Sequence, residues 1–277
     1  PFQIQKITIK EGLDGDDICG RAPTGSGKTL AFGIPLVVRT KAAKPRKPQS
    51  LILAPTRELA DQICKELQAF SGKRTVSVVY GGVSYGPQRK ALAKGIDILV
   101  ACPGRLEDLI EQRELTLEDV KQVVIDEADR MADMGFMPAV KRILDQTSKD
   151  RQTILFSATL DQDVAQLKKH YQHNPVIREI GEKTPDIKNA DHTYAIAKKA
   201  DKPELVAKAV NSTWPAIIFC RTRQGADRLV KQLKKLDIES EPIHGGKSQH
   251  QRKRALKNFS TGKVQALVAT DVAARGI

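Results

Sequence analysis

A glycine-rich run at residues 22–29 has the composition of a phosphate-binding loop. It is Ala22-Pro23-Thr24-Gly25-Ser26-Gly27-Lys28-Thr29. Glycines let backbone N–H groups wrap around a phosphate, and a helix that begins at Lys28 would add a favourable dipole. Lys28 would reach the β- and γ-phosphates of a nucleotide, and the Thr29 hydroxyl would bind Mg²⁺. Because a strand-like segment precedes the run and a helical one follows, a chance glycine-rich helix start is the weaker interpretation.

An acidic cluster follows the apolar run Val123–Ile125 and consists of Asp126, Glu127 and Asp129. Taken alone, such a cluster is more often the N-cap of a helix than a site. Together with a phosphate loop it predicts a Mg²⁺–nucleotide site. Asp126 would then hold the ion through water, and Glu127 would orient and polarise the attacking water.

Short apolar runs recur along the chain, and segments with helical periodicity separate them. The runs are Leu51–Ala54, Val76–Val79, Ile96–Val100, Val123–Ile125, Ile154–Phe156, Ile217–Phe219 and Ala266–Ala269. Each predicts a strand that is buried on both faces. The predicted helical faces are Leu59, Ile63, Leu67 and Phe70, and Ala226, Leu229, Val230 and Leu233. Strands that alternate with helices predict an α/β fold with parallel sheets.

The segment between Gly181 and Lys202 interrupts this alternation, since it contains Pro185 and several lysines and has little periodicity. It predicts a linker at 184–191 between a first domain at 1–183 and a second at 192–277, whose first strand would begin near His192. Polar residues follow most of the predicted strands. Because open α/β sheets bind ligands at the carboxyl ends of their strands, these residues predict a lined cleft. No internal repeat is evident.

The composition, 40% hydrophobic and 29% charged, is that of a soluble globular protein. No stretch approaches the ~18 apolar residues of a membrane span, so we expect no membrane partner. The net charge is +13, and residues 184–277 carry 18 basic and nine acidic side chains. This excess favours a polyanionic partner, although solvated lysines that bind nothing would give the same excess. The cysteines at 19, 64, 102 and 220 lack metal-binding spacing and predict reduced, buried thiols in a cytoplasmic protein.

Several further motifs accompany the phosphate loop in a fixed order. They are Pro55-Thr56-Arg57-Glu58-Leu59-Ala60, Gly81-Gly82, Asp126-Glu127-Ala128-Asp129, Ser157-Ala158-Thr159, Arg221-Thr222-Arg223, Gln249 with Arg252, and Thr270-Asp271-Val272-Ala273-Ala274-Arg275-Gly276. In this order the motifs resemble those of the DEAD-box RNA helicases, and the resemblance covers essentially the whole chain. Gln5 matches the glutamine with which that family reads adenine.

The resemblance implies two RecA-like domains with parallel sheets flanked by helices, an ATP site on the first domain, and RNA lying across both. The implied catalytic residues are Lys28, Asp126, Glu127, Asp129, Ser157 and Thr159. Asp129 would bond to Ser157 and Thr159 and so couple hydrolysis to domain closure. The implied ATP contacts are Gln5, Ala22, Thr24, Gly25, Ser26, Gly27, Lys28, Thr29 and Gly276, with Thr29 and Asp126 holding Mg²⁺. The implied contacts to the RNA sugar-phosphate backbone are Pro55, Thr56, Arg57, Gly81, Gly82, Pro103, Gly104, Arg105, Arg221, Thr222, Arg252 and Thr270.

Residue chemistry supports this RNA assignment. Arginines at strand ends suit phosphate contacts, and glycines let backbone N–H groups approach a sugar-phosphate chain. Such contacts predict low sequence specificity and strong salt dependence, and the aromatic content of 4% argues against base stacking as the main mode. Two alternatives stay open. Arg57 could instead cap or brace its helix, and the segment Lys247–Lys257, with Arg252, Lys253 and Arg254, could be partly the solvated side of a helix whose apolar residues face the core.

The sequence departs from the family pattern at one motif and at both ends. Cys102 stands where the family usually has Thr or Ser, and it lacks the hydroxyl of those residues. We therefore expect Cys102 to be a small buried hydrophobic residue, while the backbone of Gly104 keeps its RNA contacts. The family's aromatic residue before Pro1 and its arginine-finger segment after Ile277 are not in the sequence. We therefore expect a fragment whose second domain is incomplete.

The leading hypothesis is an RNA-dependent ATPase that separates short RNA duplexes. One alternative is an ATP- and RNA-binding module with weak turnover, and another is a DNA-directed helicase or translocase. The sequence indicates no protein partner and no particular RNA.

Overall fold

The computed structural model of the chain describes residues 1–23, 25–181 and 191–270. The chain divides into two compact units, residues 1–184 and 185–277. Within the described residues, each unit has one sheet in which all pairs of neighbouring strands are parallel. The predicted α/β class is therefore confirmed, while the linker at 184–191 stays a prediction.

A seven-stranded sheet forms the centre of the first unit, in the order β3-β4-β2-β5-β6-β1-β7. The strands are β1 (Ile18–Arg21), β2 (Ser50–Leu53), β3 (Val76–Val79), β4 (Ile98–Ala101), β5 (Gln122–Ile125), β6 (Gln152–Ser157) and β7 (Val176–Glu179). In this order β1, which leads into the phosphate loop, lies beside β6, and Gly20 stands opposite Phe156.

Helices cover both faces of this sheet. They are α1 (Gln3–Asp14), α2 (Lys28–Arg39), α3 (Arg57–Phe70), α4 (Tyr85–Lys94), α5 (Pro103–Glu111), α6 (Ala128–Asp133), α7 (Met137–Asp145) and α8 (Gln162–Tyr171). Neighbouring residues of one strand enter different apolar clusters: Leu51 and Leu53 pack into one, and Ile52 into the other. This two-sided burial explains the continuously apolar strands. Among the described residues, no helix combines the length and the apolar character needed to cross a membrane.

The second unit has a three-stranded sheet in the order β8-β10-β9. Its elements are α9 (Lys202–Ser212), β8 (Ala216–Phe219), α10 (Arg223–Lys234), β9 (Ser240–Ile243), α11 (Gln249–Ser260) and β10 (Ala266–Ala269). The burial predicted for Ile217–Phe219 is wrong, because Ile217 and Phe219 are 41% and 60% exposed, and among the described strands β8 lies at the edge of its sheet. The prediction missed β9, which contains Pro242, a residue that an edge strand tolerates.

The strand predicted near His192 is not found. Residues 191–198 belong to no helix or strand, and Tyr194 and Ile196 are fully exposed within them. Alternating apolar residues predict a strand only where a neighbouring strand can accept its hydrogen bonds, and none of the described strands pairs with this segment.

The two units share a repeated arrangement of strands and helices. The succession β2-α3-β3-α4-β4 in the first unit corresponds to β8-α10-β9-α11-β10 in the second, and both triplets of strands have the same spatial order. The equivalent backbone hydrogen bonds are also present. The N–H of Cys102 donates to the Val79 carbonyl at 3.1 Å, and that of Thr270 to the Ile243 carbonyl at 3.2 Å.

Three of the four cysteines are buried, and Cys220 is partly exposed. Burial raises the pKa of the Cys64 thiol to about 11, so only about 0.1% of it is thiolate at pH 8. We expect iodoacetamide at pH 8 to label Cys220 first in the native protein, and Cys64 only after denaturation in urea, as followed by peptide mass spectrometry. Equal rates at the two positions in the native protein would contradict this.

Candidate active site

The phosphate loop connects β1 to α2 and is tied to the first helix. Gly27 is the N-cap of α2 with φ of 84°, a left-handed conformation, and a Cβ there would lie 2.8 Å from the Phe2 ring. Glycine is therefore required at this position. The Gln5 side-chain amide donates to the Gly27 carbonyl at 3.0 Å, and its oxygen accepts the Phe2 N–H at 2.9 Å. Gln5 thus fastens α1 to the loop.

Lys28 lies buried under its own loop. Its ammonium donates to the carbonyls of Ala22 at 3.1 Å and Pro23 at 2.9 Å. The Ser26 hydroxyl donates to the same Pro23 carbonyl at 2.8 Å. A phosphate bound in this loop would replace carbonyl oxygens with charged acceptors, which form the stronger hydrogen bonds. Thr24 and Gly276, two predicted ATP contacts, lie outside the described residues.

Asp126 and Glu127 follow β5 and are both buried. Burial raises the pKa of Asp126 to about 7, and the nearby Lys28 ammonium opposes this effect. The Asp126 Oδ1 accepts the Glu127 N–H at 3.0 Å. Glu127 has φ of 54°, a left-handed conformation that costs free energy in a residue other than glycine. Such a backbone often marks a functional position.

The Glu127 carboxylate is held by a neighbour on the next helical turn. Its Oε2 accepts from the Arg130 guanidinium at 2.9 Å. Burial raises the pKa of Glu127, and Arg130 and Lys28 oppose that rise. A carboxylate with a raised pKa is a better proton acceptor near neutral pH, and this one is held by a charge-assisted bond.

Asp129 joins α6 to the loop that follows β6. Its Oδ2 accepts hydrogen bonds from the N–H of Thr159 at 3.0 Å and from the Thr159 hydroxyl at 3.2 Å. The Ser157 hydroxyl accepts the backbone N–H of Asp129 at 3.2 Å. The three residues predicted to interact are therefore in contact, although Ser157 bonds to the backbone of Asp129 and not to its carboxylate.

The residues at this site fit a magnesium ion. Asp126 and Thr29 offer a carboxylate and a hydroxyl, the hard oxygen ligands that Mg²⁺ prefers, and phosphate oxygens and water usually supply the rest. Asp126 is within electrostatic reach of Lys28, the residue next to Thr29. Within the described ranges, no group of three or more His, Cys, Asp or Glu side chains could hold a metal by itself. This arrangement suits an ion that is shared with a nucleotide.

Several predicted RNA contacts surround the glycine doublet that follows β3. The Arg57 guanidinium lies against Gly81 and Gly82, and a Cβ on Gly82, where φ is 79°, would overlap it. Thr56 is the N-cap of α3, and its hydroxyl accepts the Leu59 N–H at 3.3 Å. In the part of the chain that the structure describes, the Arg57 guanidinium forms no hydrogen bond or ion pair. Its donors are therefore available to an outside acceptor.

The loop that follows β4 differs from the loop at Gly81–Gly82, because its arginine, Arg105, bonds to other residues of the protein. Gly104 is exposed, whereas Pro103 and Arg105 are buried at the start of α5. Both terminal nitrogens of Arg105 donate to the Val83 carbonyl, each at 3.2 Å, and its guanidinium lies 3.8 Å from the centre of the Tyr85 ring.

The second unit has an arginine–glycine arrangement that the sequence prediction did not include. Arg223 lies against the doublet Gly245–Gly246, and a Cβ on Gly245 would come within 3.1 Å of the guanidinium. Thr222 is the N-cap of α10, and its hydroxyl accepts the Gly225 N–H at 3.0 Å. The signal was present in the sequence, since Thr-Arg before a helix and Gly-Gly after the next strand occur in both units.

The other predicted RNA contacts of the second unit differ in exposure. Arg221 is exposed, Thr270 is half-buried, and Arg252 is only 8% exposed. Lys253 and Arg254 are exposed, so the alternative of a solvated basic helix side is wrong for Arg252 alone.

A parallel α/β unit with a phosphate loop after β1 and an Asp-Glu pair after β5 defines a P-loop nucleotide-binding protein with a RecA-like sheet. The family model described as DEAD/DEAH box helicase matches residues 2–167, and that of the helicase conserved C-terminal domain matches residues 201–277. The chain belongs to the DEAD/DEAH box helicase family.

Named relatives agree with this family. The chain is 41% identical to the chloroplastic DEAD-box ATP-dependent RNA helicase 3A of Zea mays over 288 residues, which cover 100% of this chain and 38% of the relative. It is 40% identical to the DEAD-box ATP-dependent RNA helicase CshA of Streptococcus pneumoniae over 280 residues, which cover 99% of this chain and 53% of the relative. The chain thus spans only part of the length of these relatives.

Solved structures agree as well. A DEAD box protein from Methanococcus jannaschii matches with a TM-score of 0.61 and 34% identity, covering 100% of this chain and 76% of that one. The yeast DEAD-box splicing factor Prp28 matches with a TM-score of 0.62 and 35% identity, covering 100% of this chain and 67% of that one. These matches confirm the predicted RecA-like architecture.

Proposed function

We propose that the protein is an RNA-dependent ATPase that separates or remodels short RNA duplexes. The observation that carries this proposal is that Lys28, after β1, lies close to the Asp126–Glu127 pair, after β5, at the carboxyl ends of these strands. Its relatives, named as ATP-dependent RNA helicases, support the same activity.

At the ATP site, loop N–H groups and Lys28 bind the phosphates, and the Gln5 side chain contacts the adenine. Thr29 and Asp126 hold Mg²⁺, which when bound neutralises charge on the phosphate oxygens. Glu127 orients the attacking water and accepts its proton as the water oxygen bonds to the γ-phosphorus and ADP departs. The hydrogen bond from Arg130 that holds the Glu127 carboxylate in place, in the segment that directly follows β5, supports this role.

Asp129 transmits the state of this site to the rest of the protein. The hydrogen bonds that Asp129 donates to Ser157 and accepts from Thr159 link the Asp-Glu segment to the end of β6 and the loop after it. Movement of either segment during hydrolysis therefore shifts the other. In this proposal, that link couples ATP turnover to closure of the two units on RNA.

RNA is bound through its sugar-phosphate backbone. The exposed Gly82 and Gly104 can bring backbone N–H groups close to phosphates, and Arg57 supplies an available guanidinium. In the second unit, Arg221 and Arg223 supply positive charge in the segment that carries most of the net charge. We expect weak dependence on base sequence and strong dependence on salt.

The test is ATP turnover by the full-length protein with and without RNA, with single-stranded DNA of the same sequence as the control. Stimulation by RNA and not by DNA supports the proposal, and no stimulation by any RNA contradicts it. Single-turnover hydrolysis distinguishes the alternative of a binding module with weak turnover. We propose a cytoplasmic location, which cell fractionation tests.

A further inference from the structure

Two glycine loops lie side by side at one end of the sheet in the first unit. The loop at 81–84 follows β3 and the loop at 102–104 follows β4, and these strands pair along their length. The N–H of Cys102 extends the pairing by donating to the Val79 carbonyl at 3.1 Å. Both loops belong to the proposed RNA surface, so their separation decides whether one strand of RNA can contact both.

Arg105 connects these loops. It is one residue after Gly104, and its two terminal nitrogens donate to the carbonyl of Val83, one residue after Gly82, each at 3.2 Å. The Arg105 side chain is only 6% exposed. A buried arginine whose fork closes on one carbonyl holds that carbonyl firmly, because a charge-assisted bond in a dry environment is strong.

Tyr85 provides the platform for this arginine. The guanidinium of Arg105 lies 3.8 Å from the centre of the Tyr85 ring, within the range of a cation–π contact. The Tyr85 hydroxyl donates to Asp108 of α5 at 2.9 Å. The first residue of α4 is therefore tied to α5 twice, through its ring and through its hydroxyl.

A buried glutamine holds the other side of the first loop. The Gln88 side-chain oxygen accepts the Tyr80 N–H at 3.1 Å, and its amide donates to the Ser84 carbonyl at 3.0 Å. Both ends of the loop are thus anchored to α4, while the Val83 carbonyl is anchored to α5. Gly82, between these anchors, remains exposed.

From these contacts we infer that Arg105 is a positioning residue that keeps the two glycine loops at the spacing RNA requires, with Tyr85 as its support. This inference rests on the proposed RNA-binding function. It replaces the prediction that Arg105 itself contacts RNA, because the Arg105 side chain is only 6% exposed and both of its terminal nitrogens bond to Val83, whereas the Arg57 guanidinium is available.

The experiment compares four variants of the full-length protein: Arg105→Lys, Tyr85→Leu, Tyr85→Phe and Arg57→Gln. RNA affinity is measured across a salt series with a single-stranded RNA, and ATP turnover is measured as a function of RNA concentration. Arg105→Lys and Tyr85→Leu both keep the net charge. Any change in their salt dependence must therefore come from a changed number of phosphate contacts.

We expect Arg105→Lys and Tyr85→Leu to weaken RNA binding about tenfold, the cost of one strong hydrogen bond or its support. The slope of log affinity against log salt should stay unchanged. The RNA concentration for half-maximal ATPase stimulation should rise by the same factor, with the same plateau rate. Tyr85→Phe keeps the ring under Arg105 and should therefore retain most of the wild-type RNA affinity.

Arg57→Gln removes a direct phosphate contact and should reduce the salt slope by about 0.7, the contribution of one phosphate on single-stranded nucleic acid. Wild-type RNA affinity in Arg105→Lys, or a slope reduced in Arg105→Lys as in Arg57→Gln, would overturn the inference. If Arg105→Lys does not fold, equal affinities of Tyr85→Leu and Tyr85→Phe overturn it instead. Absence of RNA binding by the wild-type protein would contradict the proposed function itself.

Discussion

Replacing Glu127 with Gln is expected to lower the rate of ATP hydrolysis about 10²–10⁴-fold, the usual contribution of a general base. Glutamine has the shape of glutamate, and its amide oxygen can still accept the hydrogen bond from Arg130. It cannot accept a proton from the attacking water. ATP and RNA binding should persist, since no contact in the phosphate loop changes. Single-turnover experiments measure the rate of hydrolysis, and equilibrium binding of a fluorescent ATP analogue measures ATP affinity separately.

Glu107→Gln is the matched control, because Glu107 of α5 also accepts a hydrogen bond from an arginine, Arg142 of α7, at 2.7 Å, and neither residue belongs to the proposed ATP site. Its turnover should equal that of the wild type. A Glu127→Gln protein that no longer binds ATP would show that the carboxylate serves mainly to hold the site together. Turnover at the wild-type rate would remove Glu127 from the mechanism.

Replacing Phe156 with Ala is expected to lower the free energy of unfolding of the first unit by about 3–5 kcal/mol, the range for removing a buried aromatic ring. The ring is fully buried and lies 6.1 Å from the Phe32 ring, centre to centre. It also fills the space above Gly20, where a Cβ would overlap it. Urea unfolding followed by circular dichroism measures the loss. Phe219→Ala, at a side chain that is 60% exposed, should change stability by less than about 0.5 kcal/mol.

The contact between Gly20 and Phe156 makes a second, sharper test possible. Gly20→Ala alone should destabilise, because the new methyl group collides with the ring. In Phe156→Ala the same methyl group enters the cavity, so the double variant should be more stable than the sum of the single changes predicts. If the stability changes of the two single variants simply add in the double variant, the packing of Gly20 against Phe156 between β1 and β6 is contradicted. Those two strands carry the phosphate loop and Ser157, so the contact also aligns the site.

The sequence predicted the features whose cause is local. The strands β2, β4, β5, β6 and β10 are buried on both faces and each contains a run of apolar residues, so they were predictable. The phosphate loop and Asp126–Glu127 are contiguous motifs, and the structure places them beside the expected strands. The helix face with Leu59, Ile63 and Leu67 is buried as expected.

Features that depend on distant partners could not be predicted. Nothing in the sequence distinguishes Arg105 from an arginine that is free to bind a ligand. Its burial and hydrogen bonding depend on Val83 and Tyr85, which lie more than 15 residues earlier. The segment after His192 alternates like a strand, but alternation does not reveal whether a partner strand exists. The exposure of Ile217 depends on the position of β8 at the edge of its sheet.

The arrangement of Thr, Arg and a glycine doublet around three strands occurs once in each unit. A nucleic acid is itself a repetitive molecule, in which every nucleotide offers the same phosphate. Under the proposed function, the same arrangement used twice would contact the same chemical group twice, and neither copy would need to recognise a particular base. Substitutions of Arg57 and Arg223 can then be compared as equivalent changes in two copies, and a difference between their effects on RNA affinity would show that the two units contribute unequally to the proposed RNA binding.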